Sequence, residues 1–492
     1  MNLTTKHLLI IFIILVGISL RSYDLVNRYG FAADGDLFSW IVRNIVDDKH
    51  LRLVGQQTST LGIFIGPLFY YLLVPFYVLN LMDPVGALYF AVTISALTII
   101  SFYFVFWKLF DQVTGIVAVF LQAVLLTRVT HDRWVVPTIT TSIWEVWYFF
   151  TLVMLLRGNF SVMPLLGLLA ALIWHISLSL LPILILTPLA IFLSKKIPKV
   201  SDIVKGFLVF TVTSFPLIIF EIKHNFIQTT SLISSFSSSL GDQRSFLDKL
   251  PRVFDMAISS LSLIFFYPNQ IYGVLQNAAF LILIFVLFHF CLPKGVEYKK
   301  LMIILFVWIF SMVFFFIFSS KIISEYYFDN LNMVFLSLAI LIFSVILKSK
   351  QRWFVLAILG LLLFRSINYI INTNDHNFMG YQERKSVAKF IKEDSLSKGY
   401  PCVSVSYITH PGENIGFRYF FYLNNLHVNQ PSSGSPNYTI VIPSSLSPDS
   451  IQASFGVIGV IPPTDKIDKI EVERSCSGQN ANLTDPMLNY VE

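Results

Sequence analysis

Side chains able to do chemistry are scarce in this sequence and fall in a few short stretches. Asp34-Gly35-Asp36 is the first, and Arg128, His131, Asp132 and Arg133 form the second. Lys223 and His224 make a third, and Lys321, Glu325, Tyr326 and Tyr327 a fourth, with Glu145 and His175 standing singly between them. A partly buried Asp can act as general base toward a hydroxyl. Arg, Lys and His supply charge-assisted donors to a phosphate, the group on which negative charge grows as a phospho-linked bond breaks. Each stretch alone is a weak signal. Asp-Gly-Asp in a loop is usually a turn, and a cation beside an apolar run usually anchors it.

The elements that must position these groups are apolar. Of 492 residues, 55% are hydrophobic and 13% charged, about half the charge of a soluble chain. Mean hydropathy is +0.69, and 47 Phe with many Leu and Ile exceed what one water-soluble core could hide. Lipid is the solvent that fits, so the net charge of +6 reads as Lys and Arg flanking membrane spans rather than as a nucleic-acid surface. Three cysteines without metal-ligand spacing argue against a structural zinc site.

An apolar run from Leu8 to Leu20 ends in Arg21-Ser22-Tyr23-Asp24 without a cleavage pattern, and is read as a retained first span with a cytoplasmic N-terminus. The polar loop 21–62 follows. Within it, Asp36 to His50 has helical periodicity and predicts a short amphipathic helix lying in the interface. Further apolar segments lie near 63–80, 85–107, 113–127, 139–156, 161–178, 180–194, 205–220, 273–292, 301–319, 328–347 and 353–371. Lys195, Lys196 and Lys199, then Lys294, Lys299 and Lys300, then Lys348, Lys350 and Arg352 mark cytoplasmic loops. The segment 63–80, interrupted by Gly66, Pro67 and Pro75, is the candidate for a re-entrant or interfacial element. With the weak run at 256–267, this leaves about 11–13 membrane segments. From residue 372 to 492 the composition turns soluble and predicts an extracytoplasmic α/β domain. Its predicted elements are a helix over Gly380–Lys398 and strands over Val403–Ile408, Tyr438–Ile442 and Phe455–Ile461. Cys402 and Cys476 both lie there, and either pair in an oxidising exterior or stay free.

Transporters place ionisable groups near the bilayer midplane and break helices in paired repeats. Here the polar groups gather at the outer side instead, with Glu145 a few residues inside a span. Carboxylates and cations converging at one face suit an anionic lipid-borne substrate and a proton acceptor.

The order of these pieces resembles the GT-C glycosyltransferases, specifically the superfamily of protein O-mannosyltransferases and aminoarabinose transferases and its uncharacterised bacterial relatives. The resemblance rests on a first span and then Phe31-Ala-Ala-Asp34-Gly-Asp36 with its interfacial helix. Gly66-Pro-Leu-Phe-Tyr-Tyr-Leu-Leu-Val-Pro75, Arg133-Trp134-Val-Val-Pro137, Phe220-Glu-Ile-Lys-His-Asn-Phe226 and Glu325-Tyr-Tyr follow in turn. It covers roughly residues 1–370 and implies an α-helical polytopic membrane protein. Such enzymes move a sugar from a polyprenyl-phosphate donor to a glycan, lipid or protein acceptor outside the bacterial plasma membrane. The early Asp that acts on the acceptor carries over to Asp34. Many members have Asp-Glu at this point, so the Asp-Gly-Asp here leaves Asp36 as the other choice of base. Arg128, Arg133, Lys223 and His224 are the candidate phosphate holders, with Glu145, His175, Glu325 and Tyr326 as further substrate-site residues. A divalent metal on Asp34 and Asp36 is left open. The alternatives are a lipid or polysaccharide transporter and a polyprenyl-linked glycan polymerase or ligase.

Overall fold

The computed structural model describes residues 3–58, 60–237, 245–268, 274–291, 295–319, 323–373, 375–413, 415–464, 469–485, 487 and 490. The chain opens with α1 (Leu3–Ser22), α2 (Ala33–Val46), α3 (Leu68–Leu79), α4 (Gly86–Leu109), α5 (Gln112–Val124) and α6 (Leu126–His131). Next come α7 (Thr141–Leu156), α8 (Met163–Ile176), α9 (Leu186–Ser194), α10 (Val200–Thr213), α11 (Phe215–Lys223) and α12 (Ile227–Ser237). The bundle closes with α13 (Phe246–Phe266), α14 (Val274–Cys291), α15 (Val296–Phe318), α16 (Leu331–Leu347) and α17 (Arg352–Asn372). Among the described residues, five helices are long and apolar enough to cross a membrane, and six if α10 and α11, bent by 61°, count as one span. Shorter apolar helices, among them α3, α5 and α16, fill the bundle beside them.

Helix α3 has 12 residues and contains Pro75. At 1.5 Å per residue it covers about 18 Å, too short for a hydrocarbon core of about 30 Å. That agrees with an element that does not cross. Helix α13 extends the weak run at 256–267 to 21 residues and buries Val253, Ala257 and Leu261 against the main core.

Helix α2 begins and ends earlier than its periodicity predicts, at Ala33 and Val46. Asp34 and Asp36 in its first turn suit the positive end of the helix dipole. Its polar side is not solvated as a simple interfacial helix would require. Every residue from Asp36 to Val42 is buried, because α3 covers one side and the C-terminal part covers the other. Even Ser39 is enclosed, donating to the Gly35 carbonyl at 2.6 Å and lying 2.8 Å from the Tyr77 hydroxyl.

The C-terminal part holds α18 (Tyr381–Ser397), α19 (Arg418–Leu423) and five strands, β1 (Val403–Thr409), β2 (Val428–Asn429), β3 (Asn437–Ile442), β4 (Ala453–Phe455) and β5 (Ile458–Ile461). The sheet order is β2-β1-β3-β5-β4, parallel among β2, β1 and β3 and antiparallel from β3 outward. The stretch expected as one strand over Phe455–Ile461 is split into a hairpin. Gly456, at φ +59°, takes the left-handed conformation that the two-residue turn with Val457 needs. Cys402 and Cys476 form a disulfide that ties the start of β1 to the segment after the sheet.

At the end of the bundle beneath this sheet, α5 breaks. Leu125 is extended, so the carbonyls of Gln122, Ala123 and Val124 lose their helical partners. Arg21, fully buried at the end of α1, donates to the Ala123 carbonyl at 2.8 Å and to that of Gln122 at 2.9 Å. Ser366 on α17 donates to the Val124 carbonyl at 2.6 Å. Asp132 neutralises Arg21 through contacts of 2.8 Å from both Nε and Nη2. Removing either partner strands a buried charge. Asp132→Asn or Arg21→Met should therefore lower stability by about 3–5 kcal/mol, and joint replacement by apolar residues should recover much of that loss. Thermal unfolding of the detergent-solubilised protein is the measurement.

Candidate active site

The loops over the sheet-bearing end of the bundle enclose a cavity of about 540 Å³. Its walls come from α2 (Asp34, Phe38), the loop before α3 (Gln56, Gln57, Thr58), the segment after α6 (Trp134, Pro137, Thr138), the α8–α9 connection (Ser177, Ser179) and α15 with the following turn (Phe316, Tyr326, Tyr327). The sequence had pointed to Asp34, Tyr326 and Tyr327. The amides and hydroxyls of Gln56, Gln57, Ser177 and Ser179 were missed, because neutral polar residues in loops carry no distinctive spacing.

Asp34 is the one charged side chain in the described walls, and its carboxyl is exposed to the cavity. The surrounding protein still raises its pKa above the usual 3.8 by partial desolvation. Tyr326 is 43% exposed, and the Tyr327 ring stacks on Phe316 at 5.4 Å between centroids. Trp134 is 55% exposed, which leaves a broad aromatic face open in the wall. The amide oxygen of Gln56 accepts from the Tyr70 hydroxyl at 3.2 Å, which leaves its NH2 group for other partners.

Asp36, two residues on and so on another side of α2, does not face the cavity. It is buried and accepts from the backbone N–H groups of Tyr419 at 2.7 Å and Arg418 at 3.2 Å, at the start of α19. Burial raises its pKa to about 6, against those two hydrogen bonds and the charges of Arg384 and Arg418. The two carboxylates engage different neighbours and are not offered to a common ion. Among the described residues no group of three ligating side chains gathers at metal-binding spacing.

The four cations expected at a phosphate divide. Arg128 is buried and donates to Ser142 at 3.1 Å, and Arg133 donates to the carbonyls of Leu20 and, at 3.0 Å, Tyr23. His224 stacks on Phe220 at 4.0 Å and donates from Nδ1 to its carbonyl at 2.8 Å. Lys223 is exposed at the end of α11. None of the four is among the described lining residues. Glu145 is buried in α7 near the charges of Arg128, His131 and Asp329, with neither oxygen hydrogen-bonded among the described residues. His175 is spent on packing. It accepts at Nδ1 from the Leu68 N–H at 3.4 Å and lies 3.3 Å from the Thr213 carbonyl through Nε2. A Cβ on Gly66 would come within 2.1 Å of its ring, which is why a glycine stands there. The Glu325 side chain lies outside the described residues.

No family model and no curated protein matches the sequence. Among solved structures, the chain is similar to ArnT from Cupriavidus metallidurans bound to undecaprenyl phosphate. That match has a TM-score of 0.56 at 12% identity and covers 94% of this chain and 99% of that one. The apo state of the same protein matches with a TM-score of 0.55 at 10% identity, over 96% and 99% of the two chains. The archaeal oligosaccharyltransferase AglB from Archaeoglobus fulgidus is more distant, with a TM-score of 0.46 at 12% identity over 94% and 75%. The chain has the GT-C fold. It is an integral membrane protein, with its C-terminal sheet docked on the loops that frame the cavity.

Asp36 supplies a test of that docking. Its folded pKa of about 6 lies above the ordinary 3.8, so the folded form holds the proton more tightly. Its contribution to stability is complete below pH 3.8 and is lost as pH rises through about 6. Hydrogen-exchange protection in α19, taken relative to the intrinsic rate at each pH, should therefore fall across that window in wild type. The Asp36→Asn variant should lack this step.

Proposed function

We propose that this chain is a membrane glycosyltransferase moving a sugar from a polyprenyl-phosphate donor to an acceptor on the extracytoplasmic side, with Asp34 as general base. The observation that carries the reading is the exposed, partly desolvated Asp34 carboxylate in a cavity whose described walls are otherwise uncharged, with amides, hydroxyls and aromatic faces set among aliphatic side chains such as Ile63, Ile176 and Leu181. Amides and hydroxyls can hydrogen-bond a sugar's ring of hydroxyls, and aromatic faces can pack against its apolar side. The fold shared with an ArnT structure that holds undecaprenyl phosphate supports a lipid-borne donor.

In the proposed step the acceptor hydroxyl gives its proton to Asp34 while its oxygen attacks the anomeric carbon. The bond from that carbon to the phosphate oxygen breaks with its electron pair, and polyprenyl phosphate leaves from the opposite face. A single displacement of this kind inverts the anomeric centre, as in glycosidases that use no covalent intermediate. Of the four cations considered for the phosphate, Lys223 is the exposed one with no described hydrogen-bond partner, and the proposal keeps it as the candidate. It ends the helix that leads into α12, and Leu232 of α12 lines the cavity. Tyr326 in the wall would contact the donor.

The topology supported by the basic clusters has a cytoplasmic N-terminus and residues 372–492 outside, as a cap on the transferase part, residues 1–371. A disulfide between Cys402 and Cys476 fits that oxidising side, which in a bacterium is the outer face of the plasma membrane.

Purified protein in lipid, offered a panel of polyprenyl-phosphate sugars with an acceptor extract, should release polyprenyl phosphate. Asp34→Asn should lower that rate by about 100-fold or more, the scale of a lost general base. The acid limb of the wild-type pH–rate profile should sit above the usual carboxylate range, because burial raises the Asp34 pKa, and should vanish in the variant. Loss of activity in Asp36→Asn with Asp34→Asn unaffected would transfer the role to Asp36.

A further inference from the structure

Two of the cavity's walls meet behind the cavity in an ionic chain that is buried at Arg21 and Asp132 and half-buried at His131 and Asp329. One wall, Trp134 to Thr138, begins three residues after His131. The other, Tyr326 and Tyr327, ends two residues before Asp329, whose backbone N–H closes the turn onto the Tyr326 carbonyl at 3.2 Å. His131 sits between them. Its Nδ1 lies 3.8 Å from Asp132 and its Nε2 lies 3.5 Å from Asp329. Asp132 is itself held by Arg21, so the chain runs Arg21–Asp132–His131–Asp329 from the end of α1 to the tyrosine turn.

The tyrosine turn has one other described polar tether of this kind. Asn330 accepts from the Trp308 indole at 2.9 Å and donates to the Tyr327 carbonyl at 3.1 Å, which fixes the turn to α15. That tether sets the turn against its own helix and says nothing of its distance from the wall across the cavity. Only the imidazole spans the two walls among the ion pairs described here.

We propose that the His131–Asp329 pair is a clasp that sets the spacing of the two cavity walls, making both residues positioning residues for the donor. The proposal rests on the reading of this cavity as the donor site. The electrostatics favour a closed clasp. Burial works against a charged imidazole, but the carboxylates of Asp132 and Asp329 outweigh it and lift the His131 pKa to about 10. Burial also opposes the Asp132 charge, yet Arg21 and His131 hold its pKa down at about 2. The imidazole is therefore charged across the physiological range. Arg128 and Glu145 lie behind it, in the same polar layer.

The test uses the full-length protein in nanodiscs, with His131→Gln, Asp329→Asn, the double variant and Asp329→Glu. Two quantities are read, binding of undecaprenyl phosphate and the kinetics of sugar release from the active donor. A clasp predicts that each single change weakens lipid binding and raises donor KM by about 10-fold with kcat within about threefold, and that the double variant is no worse than either single. Asp329→Glu, which keeps the carboxylate, should return both values to within about threefold of wild type. Losses that multiply in the double variant, or a fall in kcat at unchanged KM, would overturn the clasp. If the glutamine and asparagine variants fail to fold, Asp329→Glu decides alone, and a folded protein with a 10-fold weaker affinity refutes the proposal. If wild type binds the lipid but transfers no sugar, the transferase reading fails, and the lipid affinities alone decide the clasp.

Discussion

The organisation of the cavity depends on one buried ion pair, Arg21 with Asp132. A helix that breaks inside packed protein exposes carbonyls that must find partners there, and α5 breaks at Leu125. Arg21 covers two of those carbonyls and brings a full charge into a fully buried place to do so. That charge needs a carboxylate, and Asp132 is the residue that supplies it. From Asp132 the chain leaving α6 takes Trp134, Pro137 and Thr138 along the cavity. His131, next to Asp132, is thereby aimed at Asp329. The break in α5 is thus linked through Arg21 and Asp132 to the segment that forms one wall of the cavity.

Helix α2 carries the second constraint. Asp34 and Asp36 differ by two positions, and on a helix that turns them to different sides. Asp36 is committed to the N-terminal turn of α19, so the C-terminal part grips α2 beside the residue proposed to do chemistry. Aromatic contacts extend that grip. Phe31 packs on Phe420 at 4.7 Å and Tyr29 on Tyr381 at 5.9 Å, and Asp83, between α3 and α4, bonds both Tyr381 and Lys385 at 2.5 Å. One apolar core runs from α2 and α3 through the sheet without interruption. The division at residue 372 is therefore one of composition, and the packing crosses it.

Much of the fold was legible because lipid leaves so few choices. Long apolar runs, the Pro-interrupted stretch that became α3, and the first helix and the strands β1 and β3 of the C-terminal part follow from hydropathy and period. What was not legible depended on partners far away in sequence. Asp36 was read as a candidate base beside Asp34, yet it is buried because a segment nearly 400 residues later covers it. Arg21 looked like the polar end of a first span, and nothing in its neighbours announces Asp132 more than 100 residues on. Arg133, Arg128 and His175 have the residue types of a binding site but are consumed by backbone carbonyls, a serine and a glycine-lined contact. Residue type marks what a group can do, and burial decides whether it is free to do it.

That distinction bears on stereochemistry. A double displacement would need a second carboxylate beside Asp34 to form a covalent sugar intermediate. No other described carboxylate is among the lining residues. Asp36 serves α19, Asp132 serves Arg21, and Glu145 is buried in α7 and is not among the described lining residues. A phosphate ester also leaves without an acid catalyst, because its oxygen already carries the departing charge well, so one base is enough where a glycosidase requires two carboxyl groups. Among the described lining residues Asp34 is the one carboxylate, and the proposed single displacement asks for one base.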